Sequence, residues 1–589
     1  MFYVLVSIQV DFKVLLLFSI FIVIGCGIKI RTNYERDNPC CCMPCLHKGI
    51  CSPVSSSTYE CICPTGYYGK NCEKSTLAKW FGNLINLNQY KKQKFALTGR
   101  LFWSIINNVP LLHDCFLRQF YKSANDLGSF PVWPLTQNYV FLNSFNNNSY
   151  LLRGIPPVPI ECPTPLGIKG PSKLPDIDYI YKKLFLRNQF KPCPLKTNLI
   201  FATFSQYLAY QFLKIKSSNH NNNNNNNNFI DIYNDDLNES ENNVKTLRSG
   251  INGKFKTRKI NGQEFPPYLE DEPSPKGKKT VFPKWAMTNK MFSVTPFMFS
   301  MATIWLREHN RVCEILVKKY PEWNDEKLYQ TAKKILLGEL LTITIEEYIQ
   351  HLAQYKMKLI FKPNLIHNEP ITFNDDMQFE FSLPFHWHQM LPDSYNIQGH
   401  HYNLSDLVFS NNRIVFDHGL DAVIDLMGRT PAGQVTFQNF GKTFGNVMKQ
   451  LIEEGRKSRL HSFNDYRKYF DLKPYSSFKD LTGDKKIGKI LQDLYGDIDA
   501  VEFVVGSFLE KHKDTVIPPT MILLSGPVAL RGILSNPIGT SEFWKSSTFG
   551  GKIGFDIVQK ATLQKLICLN LKQNCKNNVW VSFKTPINF

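Results

Sequence analysis

The stretch Glu380–Met390, EFSLPFHWHQM, decides the reading of this chain. It sets His386 and His388 on either side of Trp387, in the company of Phe381, Leu383, Pro384, Phe385 and Met390. Such apolar and aromatic neighbours predict a buried segment. A lone histidine there is usually structural, but a buried neutral imidazole also makes a good iron ligand. Phe385, next to His386, brings bulk without a hydroxyl.

Three further segments give the motif its context: ATIWLREHNRVC (Ala302–Cys313), EEYIQHLAQY (Glu346–Tyr355) and LYGDIDAVEF (Leu494–Phe503). Together with Glu380–Met390 they resemble the prostaglandin G/H synthases, the cyclooxygenases of the animal heme-peroxidase superfamily. The likeness runs from about Pro39 to the C-terminus. It implies a mostly α, animal heme-peroxidase fold preceded by a small disulfide-rich EGF-like module and amphipathic membrane-binding helices. It also implies heme b, a polyunsaturated fatty acid such as arachidonate, a membrane surface and a homodimer.

At 589 residues the chain is long enough for one large core plus accessory modules. The net charge of +19 favours anionic partners such as phospholipid headgroups or fatty-acid carboxylates. It would equally suit nucleic acid, but no nucleic-acid-binding motif is present. An apolar run, Val14–Gly25 behind Lys13, has the length of a signal peptide, so residues 1–28 are expected to be a signal peptide or a signal anchor. Either places the body of the chain in the lumen of the secretory pathway. Residence in the endoplasmic reticulum is implied only by the resemblance, since the terminal KTPINF is not a KDEL-type signal.

Of 15 cysteines, eight lie between Cys40 and Cys72, the density of a small oxidised module. Spacing alone does not give connectivity. The resemblance to an EGF-like module over 36–73 implies Cys40–Cys51, Cys45–Cys61 and Cys63–Cys72. The wider family likeness adds Cys41–Cys162 and Cys568–Cys575, with Cys42 as an extra. Asn147, Asn238 and Asn403 head N-glycosylation sequons.

Residues 74–122 mix aromatic and aliphatic residues with lysines, as in helices lying in one leaflet; ordinary packing against the main domain is the plainer alternative. Residues 123–589 form the peroxidase-like domain. It is interrupted by a low-complexity, Asn-rich stretch at 217–243 expected to be a disordered surface insertion. The periodicity of TIWLREHNRVCEILVKKY and GNVMKQLIEEGRKSRL predicts helices, with TPAGQ (Thr430–Gln434) and LTGDKK (Leu481–Lys486) as turns between elements.

The resemblance also assigns roles. His388 falls at the proximal iron ligand, with Trp387 and Tyr495 as further heme-side residues. Gln206 and Tyr210, four residues apart in FATFSQYLAYQF, fall at the distal glutamine and distal histidine. A phenol titrating near pH ~10 is a poor neutral-pH base. Phe385 falls at the tyrosine whose radical takes hydrogen from the fatty acid, and a phenyl ring has no O–H to lose. Tyr348, Ile349, Leu352 and Tyr355 are spaced to share one helical face lining a groove. Ile522, Ala529, Leu530 and Leu534 match the far side of that channel, Ala529 at the serine that aspirin acetylates. The carboxylate-binding arginine is matched by Ser123 with Lys122 beside it, and a one-residue offset turns a helical side chain by roughly 100°.

Three functions fit these residues. One is a diverged but working fatty-acid dioxygenase and peroxidase. The second is a heme- or lipid-binding homologue or regulatory subunit, with both activities lost or impaired by Phe385 and Tyr210. The third is a structural protein of the membrane surface without a cofactor.

Overall fold

The computed structural model describes residues 39–47, 49–55, 57–63, 66–75, 103–128, 154–212, 247–268, 285–287, 290–366, 379–408, 412–470, 472–534, 536–572, 575–576 and 578–587. The expected signal segment, the Asn-rich insertion, most of the expected membrane-binding region, and Asn147 and Asn238 lie outside them.

Strands are short and paired in four antiparallel hairpins: β1 (Ile50–Pro53) with β2 (Tyr59–Ile62), β3 (Tyr67–Tyr68) with β4 (Lys74–Ser75), β5 (Arg258–Ile260) with β6 (Gln263–Phe265), and β7 (Ser394–Ile397) with β8 (His400–Asn403). The first two belong to the N-terminal module, where Cys40–Cys51, Cys45–Cys61 and Cys63–Cys72 are bonded. A module this small cannot build a core of its own, and the bridges take that part. Cys41–Cys162 fastens it to the main body, and Cys568–Cys575 closes a loop near the C-terminus.

The rest is helical. The helices that matter below are α1 (Pro110–Gly128), α2 (Leu199–Phe212), α3 (Pro296–Lys319), α4 (Asp325–Ile343), α5 (Leu420–Arg429), α6 (Gly445–Lys457), α7 (Lys485–Tyr495) and α8 (Pro519–Leu534). Their ends follow the local chemistry. Thr295 caps α3 by accepting from the Met298 N–H, Pro296 fills the first turn, and Lys318 and Lys319 face the negative end. Asn324 caps α4, and Asp325 and Glu326 in its first turn hold Arg248. Asp484 caps α7 just after Gly483, which is left-handed at φ +72° and ends the preceding short helix.

Among the described residues two large apolar cores result, with a small third cluster of Cys41, Val158 and Cys162. The larger gathers Phe201 and Phe204 from α2, Phe297–Trp305 positions from α3, Val423 and Met427 from α5, Met448 and Leu451 from α6, and Leu524 and Val528 from α8. The smaller joins Leu117 and Tyr121 of α1 to Val312 and Leu316 of α3, Ile335 and Leu341 of α4, and Leu530, Ile533 and Leu534 of α8. The residues Ile349 and Leu336 touch both.

The boundary expected at 122/123 falls inside α1, a continuous helix of 19 residues. Its side chains tie it to a neighbouring segment along one side. Tyr121 donates to the Ile360 carbonyl at 2.6 Å, His113 bonds the Lys358 carbonyl at 2.7 Å, and Lys362 pairs with Asp114 at 2.6 Å. These bonds zip α1 to the 356–362 segment and make it part of the main domain. Before and at its start, Ile105, Val109, Leu111 and Leu112 are exposed. Among the described residues no helix is long and apolar enough to cross a membrane.

Removing Cys162 by substitution to serine opens a closure spanning 121 residues. The expected cost is about 2–5 kcal/mol, read as a lower Tm and as earlier protease cleavage between module and body. His309, bonded to the Gly253 carbonyl, and His351, bonded to Thr197, are both buried neutral; burial pushes their pKa down to about 4 and about 3. With the folded pKa below the unfolded one, their contribution is fully present above about pH 6.5 and is lost as pH falls toward about 3–4. Thermal melts across that window should show the decline, and His351→Gln should flatten it.

Candidate functional site

His388 opens a one-turn 3-10 helix, His388–Met390, directly after another, Leu383–Phe385. The intervening residues, His386 and Trp387, adopt neither helical nor strand geometry, so the chain makes a tight corner. The corner is fixed from several sides. Upstream, the buried Glu380 carboxylate accepts from the Gly154 and Ile155 N–H groups at 2.7 and 3.0 Å. Downstream, the Arg187 guanidinium, its side chain 3% exposed, donates to the carbonyls of Gln389 (2.9 Å), Leu391 (3.0 Å) and Asn439 (2.8 Å) and pairs with Asp393 at 2.9 Å. Gln389 donates to the Thr436 carbonyl, and the Gly433 N–H to that of Met390, each at 2.9 Å. A β-carbon at Gly433 would collide with the Gln389 carbonyl, so that approach needs glycine.

Within this frame the His388 ring packs against Phe444 (4.9 Å between centroids) and Phe440 (6.2 Å), both just before the start of α6. Burial drives its pKa down to about 3, with the neighbouring His386 pushing the same way and the His386 carbonyl acting against. The imidazole is therefore neutral, and its Nδ1 is buried without a hydrogen bond, as is Nε1 of Trp387. A neutral, conformationally fixed imidazole is the state that ligates iron, so the residues present fit a heme held at His388. Phe385 is half-buried, its ring 5.7 Å from that of Trp387.

Gln206 and Tyr210 lie on α2, and Gln206 hydrogen-bonds the Tyr210 phenol. Burial raises the Tyr210 pKa above its ordinary value and Gln206 only partly offsets this. One turn back, Tyr207 is stacked between Phe292 and Trp305 at 5.0 and 5.8 Å.

Three expected sets of residues fall as follows. First, Tyr348, Ile349, Leu352 and Tyr355 run along an irregularly wound segment. Thr344–Ile349 is wound as a π-helix and the following helix ends at Ala353, with Gln354 left-handed at φ 52°. Both departures break the 3.6-residue count on which the expectation rested. Tyr348 is buried in the larger core, stacked on Phe201 at 4.9 Å and hydrogen-bonded to Ser205, whereas Tyr355 meets Phe120 of α1 at 5.3 Å in the smaller one. Ile349 lies between, and Leu352 and Ile522 border the larger core. Second, Tyr495 is buried; its hydroxyl donates to Glu502 at 2.8 Å, and Glu502 pairs with Arg456 of α6. Third, the side chains expected at the channel mouth, Lys122 and Ser123, are half-buried on α1, and the Ser123 hydroxyl accepts from Gln119 at 3.3 Å. Leu530 and Leu534 of α8 are buried and Ala529 is half-buried.

Arg187 escaped the sequence reading because LFLRNQF offers no sign of what its fork will meet: its acceptors are backbone carbonyls from segments about 200 and 250 residues away. Arg187→Lys should already fail, since an ammonium cannot reach three carbonyls and a carboxylate in one plane. The expected loss is about 2–4 kcal/mol in chemical unfolding, together with weaker hemin binding in a spectral titration.

A family model described as animal haem peroxidase matches residues 231–580. Prostaglandin G/H synthase 2 of Bos taurus is 37% identical over 555 residues, covering 91% of this chain and 90% of that protein. Prostaglandin G/H synthase 1 of Canis lupus familiaris is 38% identical over 568 residues, covering 93% and 91%. Among solved structures, Oryza sativa fatty acid alpha-dioxygenase with palmitic acid aligns with a TM-score of 0.61 at 14% identity over 87% of this chain and 98% of that one. Peroxidase A from Dictyostelium discoideum aligns with 0.53 at 15% identity over 68% and 90%.

Proposed function

Because the chain belongs to the prostaglandin G/H synthase family of animal haem peroxidases, we propose that it holds heme at His388 and an acyl chain nearby, with the family's cyclooxygenase and peroxidase reactions absent or severely reduced. The observation that carries this reading is a neutral, rigidly framed His388 in a chain whose two expected reacting positions, Phe385 and Tyr210, lack the needed groups. Bound heme would supply peroxide cleavage and the oxidising power that the oxygenase step draws on.

The chain's own residues then set what is possible. The Tyr210 phenol can donate a hydrogen bond, but its raised pKa rules it out as a base at neutral pH, and Gln206 already binds it. Phe385 keeps the volume of a tyrosine and none of its redox chemistry. Tyr348 does not substitute for it: its hydroxyl is bound to Ser205 and its ring is stacked on Phe201. Reaction geometry tolerates little misplacement. The exposed Ile105, Val109, Leu111 and Leu112 near the start of α1 support docking on one leaflet of a membrane, and the five disulfides suit the lumen of the secretory pathway. The palmitic acid in the Oryza sativa structure supports a fatty acid as the type of ligand such a fold accommodates.

The test is oxygen uptake by the purified, hemin-loaded protein given arachidonate and a trace of peroxide, with the absorbance spectrum recorded alongside. A heme band that His388→Ala removes, without oxygen uptake, is expected. Rapid uptake would overturn the loss of activity, and a protein that takes no hemin would leave only the membrane-surface scaffold. The double variant Phe385→Tyr, Tyr210→His restores both missing groups and should raise uptake at least ~100-fold above background.

A further inference from the structure

The stretch 356–362, KMKLIFK, comes just after the left-handed Gln354 and leaves the helical path. Its burial alternates: Met357, Leu359 and Phe361 enter the smaller core, while Lys356 and Lys358 are exposed. A period of two belongs to an extended chain, which sends successive side chains to opposite sides. The segment is tied to the helical residues just before α1. The Asn107 side chain donates to the Lys356 carbonyl and accepts from the Lys358 N–H, each at 2.9 Å. Together with the His113 bond to the Lys358 carbonyl, these contacts fix the backbone from which both lysines project.

The same stretch of helix carries the exposed Ile105, Val109, Leu111 and Leu112. Its hydrogen-bond ladder continues through the junction, from the Val109 N–H to the Ile105 carbonyl and from the His113 N–H to that of Val109. Leu111 therefore stands one turn after Asn107, on the side that meets the lysine-bearing segment, and it is 81% exposed. Two cations thus border an apolar surface. The neighbouring carboxylates have other partners: Asp114 pairs with Lys362, and Glu346, on which Lys358 acts electrostatically, accepts from the Phe361 N–H at 3.0 Å.

Exposed apolar side chains with ammonium groups held beside them suit one partner above others, a bilayer whose surface carries net negative charge. A lysine can lay its stem along the apolar boundary and keep its ammonium at head-group level. A polyanion in solution would use the charge and leave the apolar residues bare. We propose that Lys356 and Lys358 bind anionic phospholipid head groups when the start of α1 lies in one leaflet, so that the protein docks selectively on negatively charged membrane. This rests on the membrane-docking part of the proposed function and names the class of lipid that the dock selects.

The experiment is flotation of the full-length protein with vesicles of phosphatidylcholine alone and of its equimolar mixture with phosphatidylserine. Wild type is compared with the double variant Lys356→Gln, Lys358→Gln, with Leu111→Ser, Leu112→Ser, and with a control pair at exposed positions of α7, Lys485→Gln, Lys489→Gln. The wild type should partition about 25-fold more strongly onto the mixed vesicles, about 5-fold for each lysine, and added salt should shrink the difference. Loss of Lys356 and Lys358 should remove that preference and leave binding to phosphatidylcholine unchanged, which also shows that the variant is folded. The control pair should retain the preference, and the leucine variant should bind both vesicles more weakly. A preference that survives loss of Lys356 and Lys358, or that the control pair abolishes, overturns the assignment. Equal wild-type partitioning overturns a head-group site while leaving the dock standing; binding to neither vesicle, or unchanged binding by the leucine variant, overturns the dock itself. Capture on heparin that the lysine variant loses, without any vesicle preference, overturns the proposal in favour of a soluble polyanion.

Discussion

The planar fork of Arg187 is the constraint on which the rest of the site depends. A buried guanidinium is costly unless every donor finds an acceptor. Here the acceptors are the backbone of the segment around His388 and that of Asn439, with Asp393 at the edge. The same residue's N–H joins the Phe440 carbonyl. The demand of one cation for carbonyls thus brings together three stretches far apart in sequence, and Phe440 and Phe444 arrive at His388 as a consequence. The histidine's neutrality follows from that enclosure.

The frame does not depend on the two expected reacting positions. Phe385 is half-buried with its ring beside Trp387, and the Tyr210 hydroxyl is hydrogen-bonded with Gln206. Both side chains are accommodated within the packing of α2 and of the 3-10 corner. Chemistry and stability are stored in different atoms, so one can be lost while the other is kept.

What could be read from the sequence follows the same division. Glu380–Met390 was legible because a local pattern of aromatic residues and histidines carries its own burial signal, and the long helices were legible from periodicity and caps, as with Thr295 and Asp484. The winding of the expected channel face was not legible, because a single π-helical turn at Thr344–Ile349 and a left-handed Gln354 have no sequence mark that a count of three and four detects. The hydrogen-bond partner of Tyr495 was not legible for a related reason. Its neighbours in LYGDIDAVEF pointed to the site, but the partner that claims its hydroxyl, Glu502, is itself committed to Arg456 on another helix. Arg187 was silent because backbone carbonyls leave no trace in composition.

The covalent bridge Cys41–Cys162 lies only a few residues beyond Gly154 and Ile155, whose N–H groups hold Glu380, and Glu380 begins the stretch that ends in His388. One short stretch of backbone therefore carries both the bridge to the N-terminal module and the donors that hold Glu380, so the module and the upstream side of the His388 corner are moored to the same segment.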